Sequence, residues 1–311
     1  MKNFVKSLFK NNSKAPSNSL WMVSLRCGIA LISFLHFMAL QADFDSIFSS
    51  HAFIPPDIAA GTRDFLIPSI YSLYKNLQGI VPLSYEGLLW IIRLIYPVAL
   101  LMLLAGLFTR PAAILSLALQ LLITNSMEFY SYGVDLFTSI ALFYCCVFPV
   151  GRLLSLDSLW FNKQPVSAER TARCLKLFQT HVCLIYFFSG FEKLLGYNWR
   201  NGEAIWRMVH GYNATEWVSF DFLYNTPVPL LAGWFTIILE MMYPLINIPV
   251  LRKWWLGGVI IFHVSIAFFM GLYFFSSVMI ILNITAYYMP FVAPEKRKIM
   301  VAQERPQLIE A

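Results

Sequence analysis

Charge is what this sequence is short of. Asp, Glu, Lys and Arg together make up 13% of its 311 residues, against roughly 25% in a soluble chain. A surface that must face water on all sides cannot be built from so little. The sequence also lacks any C-x-x-C, so the motif of a thiol–disulfide membrane oxidoreductase is absent. Its five cysteines, Cys27, Cys145, Cys146, Cys174 and Cys183, form no Cys/His group at zinc spacing, and no metal site is expected. Most lie within apolar segments and read as small hydrophobes packed between helices. There is no internal repeat and no low-complexity tract, which leaves no repeat array or disordered linker to consider.

What fills the chain instead is apolar. Hydrophobic residues make up 58% of it, with 27 Phe, 15 Tyr and 9 Trp. Many Trp and Tyr stand near the ends of apolar runs, where amphipathic rings favour the headgroup level. A helix needs about 20 mostly apolar residues to cross a bilayer. Runs of that kind lie near 20–40, 87–108, 111–128, 134–150, 174–191, 228–249, 254–270 and 272–291. The last two read either as two spans or as one element broken at Gly271. The expected fold is therefore all-α: a polytopic transmembrane bundle of about eight spans over residues 20–292. A short N-terminal segment, 1–19, and a tail, 293–311, flank it. The run from Leu20 to Leu40 exceeds a usual signal core and carries Arg26 and His36, so it reads as a retained first span.

The net charge of +6 does not point to nucleic acid, because the basic residues form no stripe interleaved with aromatics. They collect at particular span ends. With the N-terminus inside, Lys2, Lys6, Lys10, Lys14, Arg110, Arg152, Lys163, Arg170, Arg173, Lys176, Arg252, Lys253, Lys296, Arg297, Lys298 and Arg305 fall on the inner side. Only Arg63, Lys75, Lys193, Arg200 and Arg207 fall outside. This bias predicts an even number of spans in the cell membrane with both termini cytoplasmic. Two outer segments, about 41–86 and 192–227, are long enough to cap an outward-facing cavity.

An ionisable group in a bilayer costs about 2.5–3.5 kcal/mol on insertion scales and usually faces the bundle interior. Arg26, Arg93, Asp135, His181, Lys193, Glu240 and His263 are such groups. Arg26 reads as snorkelling to the cytoplasmic headgroups. Arg93 reads as an outer anchor or as the partner of Asp135, and His181 as a hydrogen bond to a neighbouring helix. Arg93, Asp135 and Lys193 sit near outer span ends, Glu240 and His263 nearer mid-span, so one cavity open to the outside can hold them together. Tyr186, Ser189 and Lys193, seven and four residues apart, share a helix face. Among apolar neighbours a lysine loses its proton more readily and can serve as a base. The alternative is an interfacial lysine that anchors the span.

The stretch Ser189-Gly-Phe-Glu-Lys193-Leu, followed by Trp199 and Gly202, resembles the lysine motif of the HTTM membrane domain. That superfamily includes the vitamin K-dependent gamma-glutamyl carboxylases. His263, Gly271 eight residues on, and the aromatic-rich run ending in Val278-Met279 are similar to a second family pattern. Arg152 to Asp157 is similar to the family's charged turn after the fourth span. The resemblance covers about 20–292. It implies that Lys193 is the base that deprotonates reduced vitamin K, a lipid-soluble quinol, and that His263 is the family histidine. The residues themselves, apart from the resemblance, lead to the expectation that Glu240 and His263 assist proton movement and that Asp135, Arg93, Tyr186 and Trp199 line the cavity. Two departures point away from glutamate carboxylation. Tyr132-Gly-Val-Asp135 stands where the carboxylases carry a histidine, and their large lumenal domain has no counterpart here. Gly133-x-Asp135, Arg110-Pro111 and Asn125-Ser126 are closer to a bacterial branch, the B-component of the sporulation-delaying peptide system. That branch implies a secreted antimicrobial peptide and a companion maturation protein as partners. The leading expectation is a membrane enzyme or maturation factor. The competing one is a transporter or immunity protein with Asp135, Glu240 and His263 as a relay, although paired broken half-helices, which would point to a transporter, are missing.

Overall fold

The computed structural model describes residues 19–61, 68–162, 164–211, 214, 219–223 and 225–291. Almost all of the N-terminal segment and the whole 293–311 tail lie outside the described residues, as do Lys163 and Asn213. Among the described residues there is no strand, only one isolated bridge between Gln78 and Val81.

Eight long helices follow the eight apolar runs. They are α1 (Leu20–Leu40), α2 (Tyr85–Ala105), α3 (Thr109–Ser126), α4 (Gly133–Val147), α5 (Ala168–Leu195), α6 (Val228–Met241), α7 (Pro249–Met270) and α8 (Tyr273–Tyr287). Five stretches are long and apolar enough to cross a membrane: α1, α2, α5, α7, and α8 extended to Phe291. α4 and α6 are apolar but only 15 and 14 residues long, about 21 Å in the case of α6 at 1.5 Å per residue. Proline is the reason both fall short of the runs read from sequence. α4 ends before Pro149, and α6 gives way to a 3-10 turn, Tyr243–Asn247, that contains Pro244.

The ends of these helices follow local chemistry. Ser84 caps α2 and Ser167 caps α5, each hydroxyl accepting from the backbone N–H three residues on. Gly271 adopts φ 65°, a left-handed conformation that ends α7 and turns the chain into α8. The stretch 254–291 is thus two helices. They fold back on each other closely enough for the rings of His263 and Phe275 to lie 5.8 Å apart.

α1 occupies the centre, packed on α2, α4 and α8, while α5 packs on α6 and α8. Trp21 of α1 is fully buried and stacks on Phe178 of α5, with Phe148 against its edge. Arg26 is buried too. It does not snorkel: its guanidinium donates to the carbonyls of Val150 (3.1 Å) and Leu154 (2.6 Å). The turn after α4 folds under α1 and presents those carbonyls where a headgroup was expected.

Candidate functional site

The site is built where α5, α6, α7 and α8 meet. From α5, Lys193 projects its ammonium between the Ser189 hydroxyl (2.6 Å) and the Glu240 carboxylate of α6 (2.7 Å). The side chains of Lys193 and Glu240 are only 19% and 8% exposed. Two charges that share so little water hold each other by direct contact. The indole of Trp199 lies 5.1 Å from the ammonium on the other side.

Glycine makes this approach possible. A Cβ on Gly190 would lie 2.6 Å from the Met241 nitrogen and 2.9 Å from Glu240 Cβ. Only a residue without a side chain lets α5 and α6 close to the distance at which Lys193 meets Glu240. A Cβ on Gly233 of α6 would lie 2.4 Å from the Trp199 carbonyl. This second contact seats the short helix Tyr197–Arg200, and with it Trp199, against α6.

One turn deeper, a chain of hydrogen bonds runs through four helical segments. Tyr243 donates to Asn283 Oδ1 (2.6 Å), and Asn283 Nδ2 donates to the Met279 carbonyl (2.8 Å) and to the Tyr186 hydroxyl (2.7 Å). Tyr186 then meets His263 Nε2 at 2.6 Å. The Met279 carbonyl can only accept, so the Asn283 amide orientation is fixed. The Tyr186 contact is the only hydrogen bond of the His263 ring among the described residues, because Nδ1 has no partner there. The Tyr186 and Tyr243 rings stack at 4.0 Å and hold the chain rigid.

These groups open onto one cavity of about 270 Å³, close to the lower end of the ~300–1,000 Å³ usual for small-molecule sites. Its polar wall is Tyr186, Ser189, Lys193, Glu240 and His263, and its other walls include Phe137, Ile266, Met270 and Phe275. Trp199, Ile205 and Met208 of the 192–227 segment close one side. The arrangement suits an apolar molecule with one polar end, which would face an amine, a carboxylate and an imidazole together. Among the described residues, no group of three His, Cys, Asp or Glu stands ready to hold a metal ion.

Five of the seven expected residues, Lys193, Glu240, His263, Tyr186 and Trp199, thus share one cavity. Two do not. Arg93 donates to Gln41 (2.9 Å) and pairs with Asp45 (2.9 Å), its guanidinium lying over the rings of Phe44 and Trp90. The short helix Phe44–Phe48, which follows α1, brings Asp45 to it, so it does not partner Asp135. Asp135 is buried in the first turn of α4, accepts from the Tyr132 N–H (3.2 Å), and does not line the cavity, although Phe137 two residues on does. His181 bonds a neighbouring helix, with Nδ1 2.6 Å from the Tyr144 hydroxyl. Asn283 and Tyr243 did not stand out in the sequence, because Asn283 carries no charge and Tyr243 shares no helix face with Lys193. A single amide in the apolar run of α8 was the available signal.

Compared with protein-family models, with curated proteins and with solved structures, the chain matches none of them.

Proposed function

We propose that this cavity is the active site of an eight-span membrane enzyme or maturation factor of the HTTM type, with both termini cytoplasmic. Lys193 is its base and an apolar molecule with an acidic hydroxyl is its substrate or cofactor. A lipid-borne quinol is the best fit, and a secreted peptide matured with a companion protein is the product the resemblance implies. The observation that carries this reading is the Lys193–Glu240 pair facing an apolar cavity. In a dry site an ion pair and a neutral amine–acid pair differ less than they do in water, because both carry zero net charge. Moving the ammonium proton to Glu240 leaves a neutral amine directed at the cavity, the form a base requires. Glu240 is then the proton's temporary holder. His263, held by Tyr186, offers a polar contact for the substrate.

The relay reading of a transporter or immunity protein loses one member in this geometry, since Asp135 stands outside the cavity that holds Glu240 and His263.

The cavity assignment is tested by titrating menaquinol into the full chain in lipid nanodiscs and following tryptophan fluorescence, with Trp199 as the reporter. Saturable quenching is expected. It should be lost in Trp199→Phe and weakened in Ile266→Trp, which fills the cavity. Quenching unchanged by both substitutions would place the quinol elsewhere.

A further inference from the structure

A second cavity lies at the opposite end of the fold, where the turn after α4 meets the starts of α3 and α5. It measures about 150 Å³, and three arginines line it: Arg110 in the first turn of α3, Arg152 in the turn, and Arg170 in the first turn of α5. All three are exposed, and none has an ion pair or hydrogen bond from its side chain among the described residues. The one carboxylate in the wall, Asp157, is turned inward. It accepts from the Phe108 and Thr109 N–H groups (2.7 and 2.9 Å) and from the Thr109 hydroxyl (2.9 Å). Glu169, beside Arg170 in sequence, faces Arg173 instead. The pocket therefore concentrates three guanidiniums with no ion-pair partner among the described residues, between the starts of α3 and α5 and the end of α4.

The pocket is also built rigidly. Buried Arg26 holds the carbonyls of Val150 and Leu154, and the Asp157 N–H donates to the Gly106 carbonyl (2.9 Å). Leu154 and Phe108, neither of them glycine, are held at positive φ (46° and 42°). Side chains rarely adopt that conformation unless their surroundings impose it. Next to the pocket, the short helix Leu156–Trp160 leaves Leu159 and Trp160 largely exposed, and Phe161 follows them. Exposed Leu and Trp beside unpaired arginines are the pattern of a surface at headgroup depth.

We propose that this pocket binds the phosphate of an anionic phospholipid from the inner leaflet, with Arg110, Arg152 and Arg170 as its donors and Leu159 and Trp160 against the acyl chains. The inference rests on the membrane reading above and not on the chemistry of Lys193, so the two can fail separately. A phosphate carries the charge that three unpaired guanidiniums lack, and guanidinium forks match its oxygens two at a time.

The test is native mass spectrometry of the full chain in detergent, titrated with phosphatidylglycerol or phosphatidylcholine. Phosphatidylglycerol should bind with a preference of about tenfold or more. Arg110→Gln with Arg152→Gln should abolish that preference, and Arg170→Gln alone should reduce it. Arg173→Gln with Lys253→Gln, which removes as many charges outside the pocket, should leave it intact. Millimolar inorganic phosphate should not displace the lipid. Equal binding of the two lipids, equal loss in the two double variants, or displacement by inorganic phosphate would each overturn the proposal. A protein that fails to cross a membrane at all would show itself separately, by staying soluble without detergent.

Discussion

At the scale of single residues, the site depends on a pair whose two members stabilise each other. Removing one charge from a buried pair leaves the other unpaired, at a cost of about 3–5 kcal/mol, whereas replacing both by apolar side chains is often neutral or stabilising. Glu240→Gln should accordingly lower the thermal midpoint in detergent, with Lys193 left facing a neutral amide. Lys193→Met combined with Glu240→Leu should melt at or above the wild-type midpoint yet be inactive. A double variant that melts far below Glu240→Gln would show that the pair is there for stability. Deeper in the bundle, Asn283→Leu removes the donor to Tyr186 and the acceptor of Tyr243 (2.7 and 2.6 Å). Tyr186 keeps its contact with His263, but the buried Tyr243 hydroxyl loses its acceptor, which costs about 1–3 kcal/mol and should lower the thermal midpoint. Tyr186→Phe should be milder in stability, since Asn283 keeps its bond to the Met279 carbonyl. It should still reduce activity, because His263 Nε2 loses the hydroxyl that holds the ring in place.

At the scale of helices, two glycines set the geometry. Gly190→Ala puts a methyl against the Met241 backbone, which cannot rotate away as a side chain would. Overpacking of this kind costs about 1–3 kcal/mol and moves α5 from α6, so activity should fall more than the melting midpoint does. Equal activity in Gly190→Ala would mean that the close approach at Lys193 is dispensable. Gly271→Ala strains the left-handed turn between α7 and α8, at about 1–2 kcal/mol. The same scale shows what the sequence could disclose. The eight helices were legible because apolar length is a local property, and Lys193, Tyr186 and Ser189 were legible as one face because their spacing is helical. Glu240 and His263 came through the cost of ionisable groups in apolar surroundings. Contacts between distant segments were not legible. Nothing local to Arg93 tells that Asp45 rather than Asp135 will meet it, because the choice depends on how the Phe44–Phe48 helix folds back. Arg26 looked like a snorkelling residue for the same reason, since the turn that accepts its protons lies over 120 residues away.

At the scale of the whole molecule, two regions separate along the bundle: an arginine-lined pocket at one end and, toward the other, an apolar cavity closed on one side by Trp199, Ile205 and Met208. Reporter fusions should place residues near Lys163 and Lys253 in the cytoplasm and residues near Asn213 outside. Fusions at Lys163 and Asn213 that report the same side would break the eight-span arrangement. The central claim is that Lys193 acts as a base and is not merely a positive charge for Glu240. The measurement that addresses it compares Lys193→Arg with wild type at matched membrane levels, reading the mature secreted peptide by mass spectrometry of the culture medium. Arginine restores the charge and the pairing with Glu240, but a guanidinium does not give up its proton. The account predicts that Lys193→Arg inserts and melts close to wild type while its product falls nearly as far as in Lys193→Ala. Full product from Lys193→Arg would contradict it and leave Lys193 as a structural counter-charge.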